Sequence, residues 1–260
     1  MICLMILRNS ILTRQGWFDI MLDITKVYMK NIFKDFSFLI GLTILFVISG
    51  YTFFRFGNSI EPGIVFVVQT CFLIIMIYAF LQLNVISIDL TVISDKASGR
   101  CELMLANKMQ LDVMIKMYNQ INFLICLLPI IFLNIELFFL SIFFDIVPLK
   151  LILFNPYLIL FYCLFILFMY NVSKFFIVLC LITKKLGLFR RTFSFGVFLF
   201  LPAFILIFNL MRNLGIVLTQ NSLYIIFIVS LFVLNIILIF INFTTQKSLT
   251  KEKIILSFKQ

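Results

Sequence analysis

Histidine is missing from this chain, tryptophan occurs once, and charged residues make up only 12% of its 260 positions. Without histidine, the commonest general base and metal ligand is gone, which argues against catalysis. Six cysteines (Cys3, Cys71, Cys101, Cys126, Cys163, Cys180) come no closer than the 17 positions from Cys163 to Cys180, so no metal or redox pair with local ligand spacing exists. They read as small apolar fillers. A phosphate-cradling Gly-x-x-x-x-Gly-Lys-Ser/Thr loop is absent too, so the chain itself should bind no nucleotide. What remains is apolar: 63% of residues are hydrophobic, 35 are Phe, and mean hydropathy is +1.19. An average soluble domain is roughly 45–50% apolar and about 25% charged. The composition is that of a membrane protein.

A helix needs about 20 apolar residues to cross the hydrocarbon core. Apolar runs between charge clusters predict six spans, near 37–55, 64–87, 119–143, 152–182, 192–212 and 223–243. The expected fold is all-α, a single polytopic membrane domain over 1–260. Of the 21 Lys and Arg, 17 fall in the N-terminus, the second-to-third link, the fourth-to-fifth link and the C-terminus. Three (Arg55, Lys150, Arg212) fall in the other links, and Lys174 lies inside a span. The excess marks the cytoplasmic side, so both termini are expected there, in a cell membrane. The net charge of +10 follows from this topology and does not point to nucleic acid.

The opening "MICLMIL" meets Arg8, Asn9 and Arg14 at once, without the small-residue cleavage pattern of a secretory signal. Met21 is a second candidate start. In "WFDIMLDITKVYMKNIFKD" (17–35), Asp19, Asp23, Lys26, Lys30 and Lys34 form one polar stripe, and Trp17, Ile20, Met21, Ile24, Val27, Tyr28 and Ile32 cover much of the rest. This predicts an interfacial helix over 17–36 before the first span.

The segment "SDKASGRCELMLANKMQLDVMIKMY" (94–118) separates the second and third apolar runs. Two short helices are expected, the first capped by Asp95 or Ser98, with Cys101, Met104 and Leu105 on one face. In the second, Leu111, Met114, Ile115 and Tyr118 follow the i, i+3, i+4, i+7 pattern, and Asp112 is placed to pair with Lys116.

These residues resemble the first cytoplasmic link of the permease subunits of ABC-2-type ABC exporters. Asp95 and Lys96 match the leading charges, Gly99 the Gly, Glu102 the Glu, Met104 and Leu105 the apolar pair, Ala106 the small residue and Lys116 the closing Lys. Arg100, Cys101 and Lys108 depart from the usual Thr, Leu and Pro. "ITKKLGLFRR", after the fourth span, is similar to the family's second cytoplasmic link. The resemblance implies that 94–117 is a coupling segment docking on a separate ATPase subunit, two copies of which bind ATP and Mg beneath a homo- or heterodimer of permease chains. It further implies that Asp95, Gly99, Arg100, Glu102, Met104 and Leu105 make the ATPase contact. This chain would not be an enzyme; it would form the path for a hydrophobic or amphipathic substrate such as an antimicrobial peptide or bacteriocin, a lipid or a drug, with bacteriocin self-protection one form of that export.

Inside the membrane, Lys174 and Glu136 are candidate pathway residues, as charges in hydrocarbon are costly. Pro129 and Pro202 are candidate bends along the same path. Asp145 is expected at the outer surface. Snorkelling, pairing and tolerated kinks are the structural alternatives for these groups. A haem-exporter-like permease of cytochrome maturation, a secondary transporter and a membrane scaffold all stay open as functions.

Overall fold

The computed structural model describes residues 25–57, 64–107, 109–183, 220–247 and 249–250. Among these residues every regular element is helical. A short helix, α1 (25–32), leads into α2 (Phe36–Gly57); then come α3 (Ile64–Ile88), a π-helical turn (Asp89–Ile93), α4 (Ser94–Ala97), α5 (Arg100–Ala106), α6 (Leu111–Phe143), α7 (Val147–Leu153), α8 (Pro156–Ile182) and α9 (Gln220–Lys247). Among the described residues five helices, one of them α3 with its continuation to Ala97, are long and apolar enough to cross a membrane. The chain is an all-α, polytopic membrane protein. The expected span at 192–212 lies outside the described residues, as do Pro202, 17–24 of the N-terminal amphipathic stripe and "KKLGLFRR".

α3 and α8 are the most deeply buried, α6 packs between them, α2 packs on α3, and α9 packs on α8. Their common core holds Phe72, Met76, Phe80, Ile125, Phe161 and Phe165, each fully buried. The outward faces are equally greasy: Ile44, Val47, Ile48 and Phe54 on α2, and Val229, Phe232, Ile236 and Phe240 on α9, are exposed. A soluble protein would aggregate through such surfaces, whereas lipid tails solvate them.

Where helices begin and end follows local chemistry. Asp35 caps α2, its Oδ1 accepting from the Phe38 N–H at 3.1 Å. In the described part of the N-terminal stripe, Lys26 and Lys30 are exposed while Ile32 is buried, as an amphipathic helix requires. α8 starts later than the predicted 152, because Asn155 accepts from the Tyr157 N–H at 3.0 Å and Pro156 takes the first position; residues 147–153 form the separate α7. The predicted break near 118 does not occur either: α6 is one helix of 33 residues, about 50 Å long, and it continues through the buried Pro129. Charges at Asp112 and Lys116 mark where a helix leaves the hydrocarbon; they do not end it. The partner Asp112 finds is Gln246 at the end of α9, whose Nε2 donates at 2.8 Å.

At the opposite end of α6, Asp145 turns the chain with φ of 55°, a conformation Asp tolerates better than most residues. Its exposed carboxylate pairs with Lys150, which holds it below the ordinary carboxylate range. Asp145 thus sits at the surface, at the end of the bundle away from the 94–110 link.

Candidate functional site

The link between α3 and α6 is held from inside by two adjacent charges. Asp95 is fully buried and Lys96 nearly so. The Tyr118 hydroxyl of α6 donates to Asp95 Oδ2 at 2.7 Å, the Tyr28 hydroxyl of α1 donates to the same oxygen, and Arg100 Nη1 lies 3.2 Å from Oδ1. A buried carboxylate is tolerable only when paired and hydrogen-bonded in this way.

Lys96 points to another helix. Its Nζ donates to the carbonyls of Cys180 at 3.0 Å, Leu181 at 2.9 Å and Thr183 at 2.6 Å. A helix leaves its last carbonyls without intrahelical donors and carries partial negative charge there. Lys96 therefore caps the end of α8. Through one dipeptide the link is tied to α1, to the start of α6 and to the end of α8.

Gly99 follows in the left-handed region with φ of 73°. An added Cβ would meet nothing within 4 Å, so glycine is needed here for its backbone conformation and not for space. That turn ends α4 and starts α5 in a new direction. The expected side-chain cap is not formed: Gly99 occupies the capping position, and Ser98 Oγ donates to the Asp95 carbonyl at 3.3 Å.

Along α5, Cys101 and Leu105 face inward and Met104 packs partly against the same core. Burial pushes the Cys101 thiol up to about 11, and its sulfur lies 3.5 Å from the Tyr118 hydroxyl. Leu103 is 51% exposed and the Arg100 side chain 63% exposed, while Glu102 is half-buried. Of the six residues expected to meet a partner, Arg100 is exposed and Gly99, Glu102 and Met104 are half-buried. Asp95 and Leu105 turn into the chain, because a buried carboxylate has its donors there and Leu105 has its apolar contacts there. Leu103, which sequence reading passed over, is the outward apolar residue. Its one-position offset from the inward Met104–Leu105 pair depends on the helix phase that Gly99 sets.

The candidate pathway residues are not gathered into one site. Asn122 of α6 touches Ser173 of α8, next to the half-buried Lys174; Glu136 lies 14 positions farther along α6, about 21 Å away by helical rise. Glu136 Oε2 accepts from Ser49 Oγ at 2.5 Å, and an ideal Cβ at Gly50 would fall 2.6 Å from Glu136 Oε1. The Ser49–Gly50 pair on α2 thus makes room for a carboxyl and supplies its donor. Pro129 is buried between the two positions.

Polar side chains tie the remaining helices together, and nothing in their spacing announced them. Tyr162 on α8 donates to Asn134 on α6; Asn171 Nδ2 on α8 donates to Asn235 Oδ1 on α9 at 3.2 Å; and Asn242 Nδ2 donates to the Asn171 carbonyl at 2.9 Å. Among the described residues no group of three or more His, Cys, Asp or Glu is placed to hold a metal. No family model, no curated protein and no solved structure matches the chain.

Proposed function

We propose that this chain is the permease subunit of an ATP-driven exporter of the ABC-2 type, with energy supplied by a separate ATPase. In this reading six spans, including 192–212, form a single membrane domain with both termini cytoplasmic, and two such chains stand over two ATPase subunits. The substrate is hydrophobic or amphipathic, in the class of membrane-active peptides, lipids or drugs.

The observation that carries the reading is the anchorage of the 94–110 link. A solvated connector would have its charges in water, whereas Asp95 and Lys96 are buried and bonded to three other elements. Arg100 and Leu103 stay on the outside of the same short helix. A push on α5 is therefore passed to α1, α6 and α8 together. Such a relay is useful only if a partner's nucleotide state favours one arrangement of the bundle over another.

The test is affinity purification of the full chain in mild detergent, assayed for a co-purifying ATPase. An ATPase that co-purifies, and is lost or uncoupled in Arg100→Ala/Glu102→Ala, supports the reading. Since Arg100 also touches Asp95, Leu103→Ala is the companion variant. If no ATPase associates even on co-expression, the reading fails.

A further inference from the structure

A group of buried polar atoms between α3, α6 and α8 has no role in the relay. α3 and α6 run antiparallel, and Asn122 Nδ2 on α6 donates to Asn84 Oδ1 on α3 and to Ser173 Oγ on α8, both at 2.5 Å. That contact sets the register. Three positions nearer the link on each helix, Ser87 comes opposite Asn119, on the faces that carry Asn84 and Asn122. Asn84 and Ser87 are fully buried and Asn119 is 1% exposed. Yet Asn84 Nδ2, Ser87 Oγ and both amide atoms of Asn119 have no hydrogen-bond partner among the described residues.

One orphaned atom in a membrane helix is costly, and four on one seam call for a physical account. The group contains donors and acceptors, all neutral. A cation would need carboxylates or a ring of carbonyls, and none of these side chains is ionisable. An apolar substrate would leave every orphan unsatisfied. Water, which donates and accepts and takes two to four polar partners, fits this inventory.

The route of entry is also marked. Toward the link, Ser87 is followed on α3 and its continuation by Thr91 and Asp95, both fully buried, and Thr91 Oγ1 donates to the Ser87 carbonyl at 2.7 Å. The π-helical turn at Asp89–Ile93 lies on this stretch, a distortion often found at functional positions. Toward the other end the seam is sealed by Phe80, Met76, Ile125 and Cys126.

We infer that the seam between α3, α6 and α8 is a hydration site, at which water admitted from the link end is bound by Asn84, Ser87 and Asn119. This is a polar wedge on a seam between helices whose common core is apolar. It stands apart from the coupling reading, since a chain that never met an ATPase would hydrate the seam all the same.

Cysteine accessibility tests it. Ser87→Cys and Asn119→Cys are made in the full chain with its native cysteines replaced by Ala, and the protein is put into lipid vesicles. A small hydrophilic methanethiosulfonate is then added on the link side. Both sites should be labelled while Leu133→Cys, as deeply buried on the apolar part of α6, stays unlabelled. No labelling at either seam site overturns the proposal; labelling at all three also overturns it, as it shows a loose bundle. The unsubstituted chain gives a second measurement. With 15N-asparagine, magnetisation transfer from water to the Asn119 and Asn84 side-chain amides is expected, and its absence overturns the proposal whether or not the variants fold.

Discussion

The ammonium of Lys96 donates to the carbonyl of Cys180 at 3.0 Å although 84 residues separate them. With the Leu181 and Thr183 carbonyls, it gives the end of α8 a cap that no residue of α8 supplies. Lys96→Met keeps most of the aliphatic stem and removes the donors. The variant should be destabilised by about 1.5–3 kcal/mol, the range for losing hydrogen bonds to a charged group. A lowered unfolding midpoint of the purified protein in detergent checks this, and an unchanged midpoint contradicts the capping role.

The Asp95–Tyr118 contact ties the link to α6 across 23 positions, with a charge of the opposite sign. Tyr118→Phe removes one of the carboxylate's donors, and Asp95→Ala removes the acceptor and leaves the buried hydroxyl only its weak contact with the Cys101 sulfur. Each single change should cost about 1.5–3 kcal/mol. Because the two act through one bond, the double variant should cost less than the sum, by roughly 0.5–3 kcal/mol. Strict additivity in the thermodynamic cycle would show that the bond contributes nothing.

Hydropathy made α2, α3 and α9 legible in the sequence, because their apolar runs end at charges close to the helix ends. α6 was misread because its first turns, with Met114, Ile115 and Tyr118 buried and Lys116 exposed, look like a separate interfacial helix. Backbone hydrogen bonding continues across such a boundary, and polarity does not report it. The link was found from its charges, but the direction those charges face was not. Asp95 and Lys96 read as surface groups by composition, and only contacts 23 to 87 positions away turn them inward. The Asn and Ser seam was missed for a related reason: neutral polar residues barely lower the hydropathy of a span, and their meaning lies in register between helices.

Gly50 and Glu136 form a size match between α2 and α6. A methyl group at position 50 would stand 2.6 Å from Glu136 Oε1, so the carboxyl must swing away and give up its bond to Ser49. Gly50→Ala should cost about 0.5–1.5 kcal/mol, the worth of the Ser49 bond, because the crowded oxygen is the far end of a flexible side chain. Adding Glu136→Ala should return most of the loss, as the clashing group is then gone. Equal destabilisation with and without Glu136, read from thermal unfolding in detergent, would place the strain elsewhere.

Cysteine chemistry separates inside from outside. Cys163 is exposed on the lipid side of α8, whereas Cys101 is fully buried beside Tyr118 and its thiol is pushed up to about 11 by that burial. At pH 8 such a thiol is only about 0.1% thiolate, the reactive form. A membrane-permeant maleimide should therefore spare Cys101 in the folded protein at about pH 8 and alkylate it once the chain is unfolded in denaturant, as peptide mass spectrometry will show. The same shift sets a pH dependence. The folded chain holds the Cys101 proton more tightly than the unfolded chain, where the thiol has its ordinary value of 9.0. The stabilisation is present in full below pH 9 and is lost as pH rises toward about 11. Cys101→Ala should flatten the fall in unfolding midpoint across that window, and an unaltered slope would show that the buried thiol does not titrate with folding.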